Sequence, residues 1–225
     1  LVVRKPTSVS FAEAAAVPLA ALTDLQAVRD HGRIEHGQRV LVIGASGGVG
    51  TYAVQLAKVF GARVTGVCSG AKADLVRSLG ADEVLDYAIT DPTDGSVRHD
   101  LILDIGGNRR LRDLRRALTP SGTLVVVGGE GGGNWLGGID RGVRAVLWSP
   151  FLHQRMRMFV APERSEDLEL LAGHLEAGRV VPSIERVVSL EQVATELQRM
   201  EDGAVRGKVV VAVGDRAEQE KGALT

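Results

Sequence analysis

The sequence predicts an α/β fold built on a doubly wound parallel sheet, and three observations support this prediction. Apolar runs recur along the chain, as in residues 40–43, 100–105 and 123–127. Amphipathic stretches with helical spacing lie between these runs. The first run ends in a glycine cluster, residues 44–50, and helical spacing resumes directly after it. Strands that alternate with helices form parallel sheets covered on both faces, so a Rossmann-like architecture is expected.

The composition limits both the size and the partners of the protein. A chain of 225 residues with 44% hydrophobic residues can form one large core. Its formal net charge of −1 includes no basic run that would favour nucleic acid or an anionic membrane. Cys68 is the single cysteine, so a disulfide framework is excluded and a cytoplasmic location is expected. The five histidines are scattered without ligand spacing, and we predict no metal site.

The first segment, residues 1–31, predicts a broken helix. Ser10 and Glu13 have the spacing of a capping box, which marks a helix start. Pro18 lies inside the Ala-rich pattern that follows, and we expect it to divide the helix into two pieces. Because the chain begins at Leu1 rather than Met and opens on a strand-like run, we expect it to be a fragment of a longer protein.

The glycine cluster after the first strand has the spacing of a dinucleotide-binding turn. Gly44 allows a sharp exit from the strand, and Gly50 lets the next helix pack closely. The N-terminus of that helix offers free N–H groups to phosphate oxygens. A tight turn that binds no ligand is the alternative, since such turns also use glycine. The coenzyme contacts predicted in this turn are Ser46, Gly47, Gly48, Val49 and Gly50.

The end of the second predicted strand indicates which dinucleotide is bound. Chains that bind NAD usually carry Asp or Glu at this position, whereas this chain has Cys68, Ser69 and Gly70. Lys72 adds a cation, and Tyr87 ends the next strand with a hydroxyl group that can donate a hydrogen bond. A solvated lysine and an edge tyrosine are the simpler interpretations of these two residues. Together with the missing acid, Ser69, Lys72 and Tyr87 favour NADP(H) as the cofactor.

The remaining elements alternate up to a polar C-terminal tail, residues 215–225. A glycine-rich stretch, residues 128–138, follows one strand and is either a linker or a loop beside a ligand. Further strands are predicted over residues 63–68, 83–87, 155–160, 180–188 and 208–213, and further helices over residues 71–79, 109–118, 166–176 and 190–200.

Several of these motifs, taken as a set, resemble the medium-chain dehydrogenase/reductase superfamily, and the zinc-free quinone oxidoreductases within it. Residues 149–151 and the helix after them are similar to bacterial NAD(P)-dependent alcohol dehydrogenases. The resemblance extends over residues 2–213. The motifs that carry it are residues 44–50, 53–58, 61–62, 79–82, 100–107 and 124–129.

This resemblance implies a two-domain enzyme in which hydride passes from NADPH to a small-molecule carbonyl or quinone substrate. That substrate would be a quinone, an enal or a ketone. It also implies a homodimer that pairs along the sixth strand, residues 156–160. The chain departs from the pattern because it lacks most of the GroES-like N-terminal domain and the four-cysteine zinc loop. The further coenzyme contacts that the resemblance implies are Thr23, which reaches the nicotinamide, and Ile105, Gly106, Val127, Gly128, Gly129 and Arg206.

We therefore expect remnants of a second domain at both ends of the coenzyme domain. Residues 1–31 would be a linker helix segment, residues 32–178 the dinucleotide-binding domain, and residues 179–214 a segment that packs on the absent domain. The sequence presents no convincing general acid, so the catalytic residues are unassigned. A catalytically incomplete coenzyme-binding module, or a truncated remnant, is the alternative to an active oxidoreductase.

Overall fold

The computed structural model of the chain describes residues 2–107, 109–127 and 153–213. Its first six strands are β1 Arg39–Ile43, β2 Arg63–Cys68, β3 Glu83–Asp86, β4 His99–Asp104, β5 Leu118–Val126 and β6 Arg155–Met158. They form one sheet in the order β3-β2-β1-β4-β5-β6, and every neighbouring pair is parallel. The order reverses beside β1, which is the switch point where ligands bind in such sheets.

The helices of the described residues follow the predicted alternation. The capping box is confirmed, since the Glu13 amide donates to Ser10 Oγ over 3.1 Å and the Ser10 amide donates to Glu13 Oε2 over 2.7 Å. Pro18 starts a new helix, as predicted. The α-helices are α1 Phe11–Ala16, α2 Pro18–Gln26, α3 Gly50–Val59, α4 Ala73–Ser78, α5 Leu111–Arg116, α6 Ser165–Glu176 and α7 Val193–Glu201, and shorter turns of helix span Ala27–Gly32, Gly70–Lys72 and Leu190–Gln192.

Both faces of the six-stranded sheet are covered, which confirms the doubly wound prediction. Along β1, Val40 and Val42 pack with one buried cluster, whereas Leu41 and Ile43 pack with another on the opposite face. This alternation follows from the two-residue period of a strand, and it makes a strand buried on both sides apolar throughout. A third cluster joins α2, α3 and α6, with Tyr52 at its centre and fully buried.

A second, smaller sheet is formed by β7 Ile184–Ser189 and β8 Lys208–Ala212, which pair in parallel. Helix α1 contacts both strands. The N-terminal and C-terminal segments of the described chain therefore meet in space. An isolated two-stranded sheet is marginal by itself, so packing on α1 and on the glycine turn described below supports it.

Two predicted strand starts are wrong by several residues. The strand predicted from residue 180 begins at Ile184, because Pro182 has no N–H group to donate to a ladder. The strand predicted from residue 123 begins at Leu118, which pairs with His99 before the register shifts. Pro120 and Gly122 lie in this irregular stretch, and such residues made the region look unlike a strand in the sequence.

A buried carboxyl group, that of Asp24, lies on α2, which packs against α3. Asp24 is fully buried, and neither of its carboxylate oxygens has a hydrogen-bond partner among the described residues. Burial raises the pKa of Asp24 well above its ordinary value, and the nearby Ala53 amide offsets this only partly. The charge of this carboxyl also raises the pKa of Tyr52, which burial raises more strongly. A group with this environment weakens the fold when it is ionised.

We expect Asp24→Asn to stabilise the protein at neutral pH. A raised folded pKa means that Asp24 contributes stability below the pKa of the unfolded chain and loses it as pH rises through the folded pKa. The variant should therefore gain about 2 kcal/mol over wild type in mildly alkaline buffer and about nothing in strong acid. Urea unfolding across this pH range measures the difference. A gain that is constant with pH would contradict ionisation as its cause.

Candidate coenzyme site

The site is built around the turn that leaves β1. Gly44 has a φ of +89°, a left-handed conformation that glycine adopts without strain. Its amide and that of Ala45 both donate to the Val67 carbonyl at the end of β2, over 3.1 and 3.0 Å. A Cβ atom on Gly44 would lie 3.1 Å from the Gly106 amide nitrogen. The turn is therefore held tightly between the ends of β2 and β4.

Helix α3 starts directly on this turn. A Cβ atom at Gly50 would lie 2.1 Å from the Gly44 carbonyl oxygen and 2.8 Å from Ala45 Cα, a separation that no side chain can occupy. Gly50 thus sets the distance between the helix start and the turn. Gly47 differs, because a Cβ atom there would meet only the Gly44 oxygen, at 3.4 Å. The backbone beside Gly47 is accordingly open to an approaching ligand.

Ser46 joins this turn to the smaller sheet. Its carbonyl accepts a hydrogen bond from the Gly207 amide over 2.8 Å, and Gly47 and Gly207 form a parallel bridge. Ser46 is 7% exposed, and its hydroxyl group makes no hydrogen bond among the described residues. The hydroxyl oxygen itself is not enclosed, so a ligand or water can reach it. This observation fits a phosphate oxygen at the turn.

The side chain of Lys208 lies across Gly48. A Cβ atom at Gly48 would be 2.8 Å from Lys208 Cδ, 3.1 Å from the Gly207 carbonyl oxygen and 3.6 Å from Lys208 Nζ. Because Gly48 has no side chain, there is room both for the stem of Lys208 and for a ligand that approaches the backbone of the turn. The family resemblance brings the turn at Arg206 and Lys208 close to the coenzyme, but the predicted contacts include Arg206 and not Lys208. This contact joins residues 160 positions apart and has no local sequence signal.

At the end of β2, Lys72 is held by backbone carbonyls. Its ammonium group donates to the carbonyl oxygens of Gly203 and Val205, each over 2.7 Å. Partial burial lowers the pKa of Lys72, the charge of Glu185 opposes this, and the charge of Arg206 lowers it further. Lys72 and Arg206 thus share one region, as a site for a second phosphate group requires. Lys72 would have to share or leave its carbonyl partners to contact a ligand.

A carboxylate also stands at this edge, contrary to the sequence argument. Asp86 ends β3 and pairs in register with Cys68, so β3 brings its side chain beside the turn that follows β2. A Cβ atom at Gly70 would lie 2.5 Å from Asp86 Oδ2, while Oδ1 accepts from the Ala88 amide over 3.0 Å.

Burial raises the pKa of the Cys68 thiol and the Asp86 charge raises it further, so Cys68 is a poor nucleophile.

Ser69 and Tyr87 lie at the same edge of the sheet. Ser69 is partly exposed, has an extended backbone and directly precedes the short helix Gly70–Lys72, and its side chain makes no capping hydrogen bond there. The Tyr87 amide donates to the Cys68 carbonyl over 3.2 Å, and 56% of Tyr87 is exposed. Both side chains are therefore accessible to a ligand at the carboxyl ends of β2 and β3.

The end of β4 borders the turn from the other side. The amides of Ile105 and Gly106 both donate to the Ile43 carbonyl over 3.1 Å, and the Val127 amide donates to the Asp104 carbonyl over 3.0 Å. Ile105, Gly106 and Val127 thus lie at consecutive strand ends along one edge. The predicted contacts Gly128 and Gly129, the loop 128–138 and residues 149–151 lie outside the described residues.

Thr23 stands apart from these strand ends in the chain, on α2. Its hydroxyl group donates to the Leu19 carbonyl over 2.8 Å, one helical turn earlier, and the residue is partly exposed. Helix α2 packs on α3, which carries the glycine turn at its start. The predicted contact of Thr23 with nicotinamide stays a prediction.

The described residues also bear on metal binding and membrane crossing. Within residues 2–107, 109–127 and 153–213, no group of three or more His, Cys, Asp or Glu side chains is placed to hold a metal ion. Among the helices that these ranges contain, none combines the length and the apolar character that a membrane crossing requires.

Comparison with known proteins places the chain in a class of oxidoreductases. The family model described as zinc-binding dehydrogenase matches residues 79–211, more than half of the chain. The chain belongs to this family, within the medium-chain dehydrogenase/reductase superfamily, and it is quinone oxidoreductase-like. The resemblance inferred from the glycine turn and strand ends is confirmed.

The similar proteins are longer than this chain. Mouse mitochondrial NAD(P)H oxidoreductase RTN4IP1 is 36% identical over 93% of this chain and 57% of its own length. The chloroplast envelope quinone oxidoreductase homolog of Arabidopsis thaliana is 31% identical over 94% of this chain and 65% of its own. The quinone oxidoreductase structure from Coxiella burnetii has a TM-score of 0.81 at 27% identity, over 94% of this chain and 64% of that one. The chain thus spans about three fifths of these relatives.

The names of these relatives overturn the expected cytoplasmic location. The mouse relative is named as mitochondrial and the Arabidopsis relative as a chloroplast envelope protein. These names point to an organelle rather than to the cytoplasm. The single cysteine was therefore a poor guide, because a reducing environment is not particular to one compartment.

Proposed function

We propose that this chain is the coenzyme domain of an NAD(P)H-dependent oxidoreductase that reduces a quinone, an enal or a ketone. The observation that carries the proposal is the glycine turn that begins at Gly44 and includes Gly47. This turn packs directly on the start of α3 at Gly50. The mouse relative is named as an NAD(P)H oxidoreductase and the Arabidopsis relative as a quinone oxidoreductase homolog, which supports this reaction class.

The residues of the turn suit a dinucleotide. The start of α3 presents backbone N–H groups, and the Ser46 hydroxyl group makes no hydrogen bond among the described residues. Gly47 leaves the backbone of the turn open to a ligand, because a Cβ atom there would meet only the Gly44 oxygen, at 3.4 Å. A bound nicotinamide coenzyme would supply the hydride, and the protein would supply position and electrostatics. Ile105, Gly106 and Val127 would border the coenzyme on the β4 and β5 side.

Activity on candidate substrates tests the reaction class. The chain would be mixed with NADPH and, separately, with a benzoquinone, an enal and a simple ketone, and oxidation of the coenzyme would be followed by absorbance. We expect oxidation with at least one of the three. Binding of NADPH without oxidation by any of them would favour the alternative, a coenzyme-binding module that is catalytically incomplete.

We also propose that the coenzyme is NADP(H). Lys72 and Arg206 place two cations near the accessible Ser69 hydroxyl group and the exposed Tyr87, a set that suits a 2′-phosphate. Asp86 opposes this preference, because its carboxylate would repel a phosphate group at the same edge. Glu185 is a second carboxylate near Lys72, but Arg199 pairs with it over 2.8 Å. We therefore expect NADPH to be favoured over NADH, though less strongly than it would be without these acids.

Two substitutions at this edge should move coenzyme preference in opposite directions. We expect Lys72→Gln to weaken NADPH binding about tenfold with little change for NADH, since one cation near the 2′-phosphate is lost. Asp86→Asn should tighten NADPH binding about threefold or more by removing the opposing charge. Fluorescence titration of each variant with both coenzymes gives these ratios. Equal effects on NADPH and NADH would contradict a 2′-phosphate site here.

Three further features of the whole protein are proposals. We propose that hydride transfer proceeds without zinc, by resemblance to zinc-free quinone oxidoreductases. Residues 1–31 and 179–214 would pack on a second domain, which the meeting of α1 with β7 and β8 supports. A homodimer would form along β6, which is an edge strand of the large sheet.

A further inference from the structure

Lys208 is a cation beside a turn that has none of its own. Residues 44–51 contain no Lys or Arg, so the turn would meet a pyrophosphate with backbone N–H groups and hydroxyl groups alone. The lysine Nζ lies 3.6 Å from the position that a Gly48 Cβ atom would take. Among the described residues its ammonium group makes no hydrogen bond and no ion pair. A partly buried cation without a protein partner is suited to a ligand anion.

The backbone around Lys208 is fixed on both sides. The Lys208 amide donates to the Ser183 carbonyl over 2.8 Å, and the preceding Gly207 amide donates to the Ser46 carbonyl over 2.8 Å. Gly207 has a φ of +66°, and a Cβ atom there would lie 2.3 Å from the Ser183 oxygen. One hydrogen bond thus holds the start of β8 on the turn, two contacts hold it on Ser183, and the lysine stem has a defined path over Gly48.

We propose that Lys208 is a positioning residue for the coenzyme pyrophosphate and supplies the positive charge that the glycine turn lacks. This inference rests on the proposed function. It is supported independently of the helix N-terminus by Ser46, which is 7% exposed and whose hydroxyl group has no partner among the described residues. The smaller sheet then takes part in coenzyme binding, because β8 carries the cation. Lys208 differs from Lys72 in that Lys72 acts at the ribose edge.

Ligands with and without the pyrophosphate distinguish these roles. The variant Lys208→Met keeps the stem that packs on Gly48 and removes the charge. It would be titrated with NADPH, with ADP-ribose and with adenosine 2′-monophosphate, which lacks the pyrophosphate. We expect a loss of about tenfold in affinity for NADPH and ADP-ribose, and a change below about twofold for the 2′-monophosphate. Arg112→Gln, an exposed cation on α5, is the matched control and should change none of the three.

The contrary outcomes are distinct. Unchanged affinity for ADP-ribose, or an equal loss for all three ligands, would overturn the role of Lys208 while the proposed function stands. Failure of the wild-type chain to bind NADPH and ADP-ribose at all would overturn the proposed function, and this inference with it. A second variant, Lys208→Gln, and the thermal unfolding midpoints of both variants control for misfolding. If both variants have the wild-type midpoint and both lose affinity, the loss comes from the missing charge and not from a damaged fold.

Discussion

Replacing Gly50 with alanine should unfold the coenzyme turn and abolish NADPH binding. The new Cβ atom would lie 2.1 Å from the Gly44 carbonyl oxygen and 2.8 Å from Ala45 Cα, and both are backbone atoms that cannot swing aside. The start of α3 must then move away from β1, which also moves its N–H groups away from a bound phosphate. We expect a loss of about 3 kcal/mol in unfolding free energy and of more than about tenfold in affinity.

A second glycine offers the matched control for this substitution. Gly173 lies inside α6, and a Cβ atom there would meet nothing within 4 Å. Gly173→Ala should therefore stabilise the protein by about 0.5–1 kcal/mol, because alanine is the better helix former. Urea unfolding and NADPH titration of both variants provide the comparison. If Gly50→Ala bound NADPH as tightly as Gly173→Ala, the close packing of the turn would not be required for binding.

Acid should destabilise the protein through His99. This residue starts β4, is 3% exposed, and its Nδ1 atom has no hydrogen-bond partner in the described part of the chain. Burial lowers the pKa of His99 to about 4, the charge of Arg39 lowers it further, and Asp100 opposes this. Because the pKa of His99 is lower in the folded than in the unfolded chain, the stability that neutral His99 contributes is present above about pH 6.5 and is lost as the pH falls toward 4. The loss through His99 alone is about 2 kcal/mol by roughly pH 5.

The test compares variants, because other groups titrate over the same range. Asp24 has the opposite sign, since its raised pKa makes the fold more stable as pH falls. His99→Gln removes one titration and should flatten the fall in unfolding free energy between about pH 7.5 and 5 by about 2 kcal/mol. His153→Gln, an exposed residue, should keep the wild-type slope. An unchanged slope in His99→Gln would show that His99 is not the group responsible.

Elements governed by local physics could be predicted from the sequence. The Ser10–Glu13 capping box, the break at Pro18 and the turn at Gly44 depend on residues a few positions apart, and all three are present. The alternation of apolar strands and amphipathic helices likewise determined the doubly wound sheet. The start of β5 could not be predicted, because pairing with His99 across the sheet extends the strand through Pro120.

The positions of site residues that depend on tertiary contacts could not be predicted from the sequence. Asp86 reaches the end of β2 because β3 pairs with β2 in one register, which the sequence does not state. Lys208 reaches Gly48 only when β8 docks on the glycine turn. Asp24 stands in a buried helix face where periodicity favours an apolar residue, and nothing nearby in sequence marks its burial. The sequence therefore indicated the turn and the cations Lys72 and Arg206, but not the positions of Asp86 and Lys208.

The central claim is that the glycine turn binds a nicotinamide dinucleotide, and fluorescence titration of the chain with NADPH, in parallel with NADH, tests it most directly. The account predicts saturable binding of one NADPH per chain, tighter than NADH, with ADP-ribose competing for the same site. Equal binding of both coenzymes would contradict the 2′-phosphate assignment and keep the turn. Binding of neither, by a chain that is folded by circular dichroism, would contradict the coenzyme site itself.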